Sequence, residues 1–351
     1  MKTAFLHELK RILLPLCVFT VIATALFLAF VLATPRVVVR SYMDETGQIL
    51  TGELPGDTLV YVPSCILGIL CYLVPAMQYS YRMNRRSVDL WYSLPIHREK
   101  LLLVRTLGGF LLVFVPYIVS YALGVSIIGS SYNLFEMSYY AGLFFASLLA
   151  GLLLYGLNAF LFTRANKLED GITFMLLGTF LLTAPQSLIM RIINATSEWR
   201  VTVNAVLAPL NFMGFGALAQ LSLSFHSMII GGVGNQHAWI AYTLSAFLGC
   251  ASWFGLFYTA RSHRAESAEQ ISDSWFGYRV QIPVYLFFFT ASIDASSVWD
   301  PGSLFLVALG AAAYFVYRRS FRLRLREIVP LLASFLAGMG VDFLFYFFIS
   351  S

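Results

Sequence analysis

Residues 60–128 read VYVPSCILGILCYLVPAMQYSY (Val60–Tyr81), RMNRRSVDLWYSLPIHREK (Arg82–Lys100) and LLLVRTLGGFLLVFVPYIVSYALGVSII (Leu101–Ile128): an apolar run, a short basic island and a second apolar run. A hydrocarbon core about 30 Å thick is crossed by roughly 20 helical residues at about 1.5 Å each. Each run is therefore long enough to span, and the island between them must sit at a membrane face. Neither run shows the two-residue alternation of barrel strands, so α-helices are left as the structure that satisfies every backbone group in lipid.

The same pattern recurs outward from this segment. Hydrophobic residues make up 59% of the 351 positions and charged residues 12%, with a mean hydropathy of +0.75, against roughly 45–50% apolar usage in soluble domains. Nine runs qualify: Leu13 to Ala33, Val60 to Tyr81, Leu101 to Ile128, Met137 to Phe162, Ile172 to Met190, Ala238 to Ala260, Val280 to Ile293, Ser303 to Tyr317 and Ile328 to Ile349. The seventh and eighth are the shortest. The expected fold class is all-α, a polytopic helical membrane protein.

Cations orient it. With a cytoplasmic N-terminus the inner segments hold nearly all the arginines and lysines, including Lys2, Lys10, Arg11, Arg82, Arg85, Arg86, Arg98, Lys100, Arg105, Arg164, Lys167, Arg264 and the run Arg318 to Arg326. The outer segments keep Arg36, Arg40, Arg191 and Arg200. That asymmetry follows the positive-inside rule. The net charge of +5 is thus explained by topology and by anionic inner-leaflet lipid, and does not call for nucleic acid.

Between the runs, Met1 to Arg11 places Phe5, Leu6, Leu9 and Ile12 at helical spacing opposite Lys2, Glu8 and Lys10, the pattern of an amphipathic helix lying in the inner interface. Val37 to Thr51, with the turn residues Asp44-Glu45-Thr46-Gly47, suits a small β-ribbon or an irregular loop. Asn194 to Gln236 is long enough to hold external or re-entrant helices. Cys17, Cys65, Cys71 and Cys250 lack paired spacing and read as small packing residues, not as a disulfide or metal framework. Gly151 and Gly156 give the fourth run a small-residue face suited to close helix packing or to dimerisation.

No GxxxxGK[ST] loop, HExxH helix or GxSxG elbow occurs. The chain is expected to be no enzyme, and to carry no cofactor or metal of its own. Helix interiors are almost free of charge: Arg105 lies near the inner end of its run, within snorkelling reach of the interface. Ion coupling is weakly supported on that ground, so the energy source is expected on another polypeptide.

The island is where such a partner would grip. From Asn84 to Leu94, Val88, Trp91, Tyr92 and Leu94 fall near one helical face and Arg85, Arg86 and Asp89 on the other, and Pro95 ends the helix. Asp89, Ser93, Leu94, Pro95, Ile96 and Arg98 stand in the order Asp-x-x-x-Ser-Leu-Pro-Ile-x-Arg. Here the chain resembles the permease subunits of type-2 ABC exporters, whose loop between the second and third membrane helices carries that string. The resemblance implies a coupling helix at about 82–98 that docks on a separate ATPase. Trp91, Tyr92 and Leu94 would anchor in a groove of the ATPase, with Leu90 in the same segment, while Arg85, Arg86 and Arg98 pair with acids around it.

After the sixth run, Arg264-Ala265-Glu266-Ser267-Ala268 is similar to a second family sequence ending in Ala-Gly; Glu269 stands at the glycine. Arg264 and Glu266 are the implied second cytoplasmic contact. The likeness covers residues 1–270, an exporter-like domain of six membrane helices. Residues 271–351 resemble a three-helix extension found in some Gram-positive exporter permeases. What it implies is a multi-pass protein of the bacterial plasma membrane with two ATPase subunits, which hold ATP and Mg, and a second permease, the same chain or a different one. The cargo would be apolar or amphipathic: a peptide, antibiotic or lipid. Two other classes stay open. A membrane sensor or immunity protein would bind a membrane-active peptide without moving it, and an ion-coupled carrier would need no ATP.

Overall fold

The computed structural model describes residues 2–34, 36–43, 49–55, 58–93, 96–131, 137–178, 238–260, 265–270, 272, 277–292, 301–318 and 320–350. Helices dominate them. In chain order these are α1 (Lys2–Ala33), α2 (Thr58–Tyr79), α3 (Arg85–Tyr92), α4 (Arg98–Ser131), α5 (Met137–Phe162), α6 (168–178), α7 (Ala238–Ala260), α8 (Tyr278–Ser292), α9 (Pro301–Arg318) and α10 (Leu325–Ser350). Strands β1 (Arg36–Met43) and β2 (Ile49–Pro55) form an antiparallel hairpin between α1 and α2, with Val37 opposite Leu54 and a register shift between Val39 and Tyr42. Of the ribbon and the irregular loop that the sequence left open there, the ribbon is present.

Four helices among the described residues are long and apolar enough to cross a membrane: Phe5–Ala33, Val62–Arg82, Arg98–Ser131 and Tyr140–Phe162. The chain is thus a helical membrane protein. Helices α7 to α10 match the sixth to ninth apolar runs in position, and the shorter apolar stretches Ala246–Thr259 and Val307–Tyr317 lie within them. The fifth run begins in α6 and continues outside the described residues, as does the long segment Asn194 to Gln236.

One expectation is corrected at the N-terminus. Instead of an interfacial helix followed by a membrane helix, α1 is continuous, with Pro15 inside it. The expected division of faces holds only in part: Ile12 is buried and Lys10 exposed, but Glu8 is buried with Ile12 and Leu6 is exposed. The reason is a pairing that sequence spacing does not reveal, because Glu8 has a cationic partner on α4.

Packing follows the small residues. Gly151 approaches Leu67 of α2, where an added Cβ would lie 2.8 Å from Leu67 Cδ2. At Gly156 it would lie 2.3 Å from Nε1 of Trp253 on α7, and that indole donates to the carbonyl of Leu152. The small-residue face of α5 thus serves packing within the chain. Two clusters share the bundle of α1, α2, α4, α5 and α7, one around Phe27, Leu67, Tyr117 and Leu154, the other around Tyr79, Leu102, Phe162 and Leu256. The third joins α8, α9 and α10 through Ile282, Leu286, Tyr314, Leu331 and Phe335. All four cysteines are free.

Candidate functional site

The basic residues meet at one end of the bundle, which collects the start of α1, the end of α2, all of α3, the start of α4, the α5–α6 turn and the turn over 265–270. At its centre is α3. Asn84 caps it, Oδ1 accepting from the Arg86 N–H at 3.0 Å, and at its other end the Ser93 N–H reaches the Asp89 carbonyl at 3.1 Å. A side-chain cap of this kind stabilises a short helix by about 1 kcal/mol.

The helix turns Val88 into the protein at 0% exposure and half-buries Trp91 and Tyr92. On the opposite side Arg86, Asp89, Leu90 and Ser93 form an exposed stripe at the i, i+3, i+4, i+7 spacing of one helical face. Leu90 is 64% exposed. Arg85 and Arg98 are exposed as well, with the Arg98 guanidinium carbon 4.5 Å from the Tyr92 ring centroid. Ile96 is half-buried against the inner cluster, and Leu94 and Pro95 lie outside the described residues.

Trp91 and Tyr92 also have partners within the chain. Their rings are half-buried and pack in part onto the chain's own bundle. Trp91 sits over the guanidinium of Arg105, 4.2 Å from Cζ to the ring centroid, and Tyr81 sits 4.7 Å away from the same carbon. Two aromatic faces against one cation contribute roughly 0.5–2 kcal/mol each, more where water is excluded.

Arg105 itself is 1% exposed, so it does not snorkel. Its Nε lies 3.6 Å from Oε2 of Glu8, whose Oε1 accepts from Arg11 at 2.7 Å. Arg11 also donates to Oε1 of Gln78 at 2.6 Å. Gly108 permits the approach: a Cβ there would stand 3.2 Å from Glu8 Cγ and 3.3 Å from Gln78 Nε2. A physical line therefore runs from Trp91 on α3, through Arg105 on α4, to Glu8 on α1. Removing one partner from such a buried pair costs about 3–5 kcal/mol, because the remaining charge stays desolvated.

The second expected contact is placed in part. Arg264 lies outside the described residues, and Glu266 is exposed on a short 3-10 turn, Ala265–Ser267. The residue that meets α3 is Glu269. Its Oε1 accepts from the Arg85 N–H at 3.2 Å and Oε2 lies 3.7 Å from Arg85 Nε, while that Nε donates to the Ala268 carbonyl at 3.3 Å. Glu269 has φ 65°, in the left-handed region where glycine is at ease. Its N–H donates to the Asn166 carbonyl at 2.9 Å.

The α5–α6 turn closes the site. Burial pushes the Arg164 guanidinium down to about 10, Arg82 adding repulsion in the same direction, and the Phe160 ring lies 5.3 Å from its Cζ. Asp170 accepts from Ser272 Oγ at 2.6 Å and from the Tyr278 hydroxyl at 3.3 Å. Among the described residues no group of His, Cys, Asp and Glu could hold a metal ion.

The meeting of buried Glu8 with buried Arg105, and that of exposed Glu269 with Arg85, were missed by sequence reading. The signal available was a lone carboxylate and a lone guanidinium, each inside an apolar run, which lipid tolerates best when they meet. No protein-family model, curated protein or solved structure matches the chain.

Proposed function

We propose that the chain is the transmembrane permease subunit of an ATP-driven exporter of the type-2 ABC class in a bacterial plasma membrane. In this reading the chain performs no chemistry. Two ATPase subunits bind and hydrolyse ATP with Mg, and a second permease completes the path. The observation that carries the reading is the two-sided construction of α3: Arg86, Asp89, Leu90 and Ser93 face outward, while Trp91 wedges against a buried ion pair that joins α1 and α4.

A helix built this way converts a push on its outer face into movement of two membrane helices. Leu90 is then the apolar anchor in the ATPase groove, Arg85 and Arg86 meet acids around it, and Asp89 and Ser93 complete the face. Closure of the ATPases would rock the bundle as a rigid body between two states. A cleft of about 600 Å³ between α4 and α5, lined by Ile118, Tyr121, Val125, Met137, Phe144 and Phe145, supports an apolar or amphipathic cargo.

The test is isolation of the assembly from its native membrane. An ATPase subunit co-purifying with the chain, and losing cargo-stimulated hydrolysis when the chain is absent, supports the reading; a chain that transports its cargo with no nucleotide-hydrolysing partner refutes it.

A second reading, the ion-coupled carrier, draws on Glu8, a carboxylate 3% exposed inside an apolar helix. Transport that survives ATP depletion, collapses with the ion gradient and is abolished by Glu8→Gln would favour it.

A further inference from the structure

A cleft of about 450 Å³ opens at the basic end, lined by Arg11, Asn84, Ser87, Trp91, Arg105 and Glu269 among others. Its deepest cation is under-used. Arg105 is 1% exposed, yet its Nε, Nη1 and Nη2 make no hydrogen bond in the protein, and neither does Nε2 of the adjoining Gln78. These four nitrogens are all donors, since a guanidinium has no acceptor to offer. Burying them without acceptors is costly.

The rings of Tyr81 and Trp91 engage the π surface of the guanidinium, which leaves its N–H edge as the bonding surface. Glu8 does not satisfy that edge: its carboxylate stands 3.6 Å from Nε and is bonded to Arg11 at 2.7 Å. Glu269 is likewise engaged with Arg85. Counting Arg11, Arg85 and Arg105 against Glu8 and Glu269, three cations meet two carboxylates.

We propose that this cleft binds a phosphate group, whose oxygens match the guanidinium fork, with Arg11, Asn84 and Ser87 completing the surround. A phosphate can come from an anionic lipid headgroup or from a small soluble phosphate. The cleft sits where the span Val62–Arg82 ends and the span Arg98–Ser131 begins, the level at which headgroups lie. The site does not depend on the export reading: it needs only a helical membrane protein.

The experiment uses the full chain in nanodiscs of phosphatidylcholine doped with phosphatidylglycerol. Lipid that stays bound after extraction is quantified by mass spectrometry, with inorganic phosphate titrated in a second arm. Phosphatidylglycerol enriched over phosphatidylcholine and resistant to millimolar phosphate identifies a headgroup site; binding of inorganic phosphate that displaces the lipid identifies a soluble phosphate. Ser87→Trp, which fills the cleft and leaves Arg105 in place, should abolish the enrichment. Arg105→Lys, which keeps the charge and loses the fork, should reduce it about tenfold, the effect of about one hydrogen bond to a charged group. Equal retention of the two lipids by the wild-type chain, together with no phosphate binding, overturns the proposal, as does enrichment that Ser87→Trp leaves unchanged in a folded protein.

Discussion

Trp91 lies 4.2 Å from the guanidinium carbon of Arg105, so its replacement acts first on the chain itself. Trp91→Phe retains a ring face and should cost about 1 kcal/mol or less, whereas Trp91→Ala loses the ring and opens a gap, costing about 2 kcal/mol or more. Thermal unfolding of the purified variants checks the order. Glu269 offers a different test, because its φ of 65° costs an L-residue roughly 1–2 kcal/mol. Its bond to Arg85 is exposed on both sides and contributes little in return. Glu269→Gly is therefore expected to unfold no lower than wild type, and Glu269→Val several degrees lower. A Gly variant less stable than the Val variant would contradict the backbone argument.

At the scale of the element, α3 shows what periodicity can and cannot tell. The spacing of Val88, Trp91 and Tyr92 against Arg85, Arg86 and Asp89 places the apolar face correctly, since an amphipathic helix buries one side. It does not say against what. Trp91 meets Tyr81 and Arg105 and Tyr92 meets Arg98, and the contacts of Trp91 come from residues outside α3 that its periodicity does not reveal. Leu90 is the exposed apolar residue of α3, and the proposed export function makes it the anchor. Leu90→Glu should leave the unfolding free energy within about 0.5 kcal/mol of wild type, as surface changes do, while weakening ATPase association about tenfold or more. Co-sedimentation with the ATPase measures the second effect and calorimetry the first.

At the scale of the whole molecule, the helical membrane class and, among the described residues, the positions of the apolar helices and the gathering of cations at α3 were legible, because composition and loop charge are local quantities. The Glu8–Arg105 pair was not, since two charges far apart in sequence leave no mark on either segment's periodicity. The same limit hid how residues 271–351 attach. Their three helices share a cluster of their own, and they meet the rest through the hydroxyls of Ser272 and Tyr278 on Asp170. Asp170→Ala leaves those hydroxyls unpaired at a cost of about 1–3 kcal/mol. Hydrogen exchange should then rise over 272–292 while α1, α2 and α4 stay protected; uniform loosening of all helices would refute that attachment.

The central claim is that force enters through the outer face of α3. A photo-crosslinking amino acid at position 90, irradiated in native membranes, measures it most directly. The account predicts a covalent adduct between this chain and a nucleotide-binding subunit, lost when the probe is moved to the buried position 88. Adducts at position 90 with lipid alone, in membranes where the chain is folded and active, would contradict it.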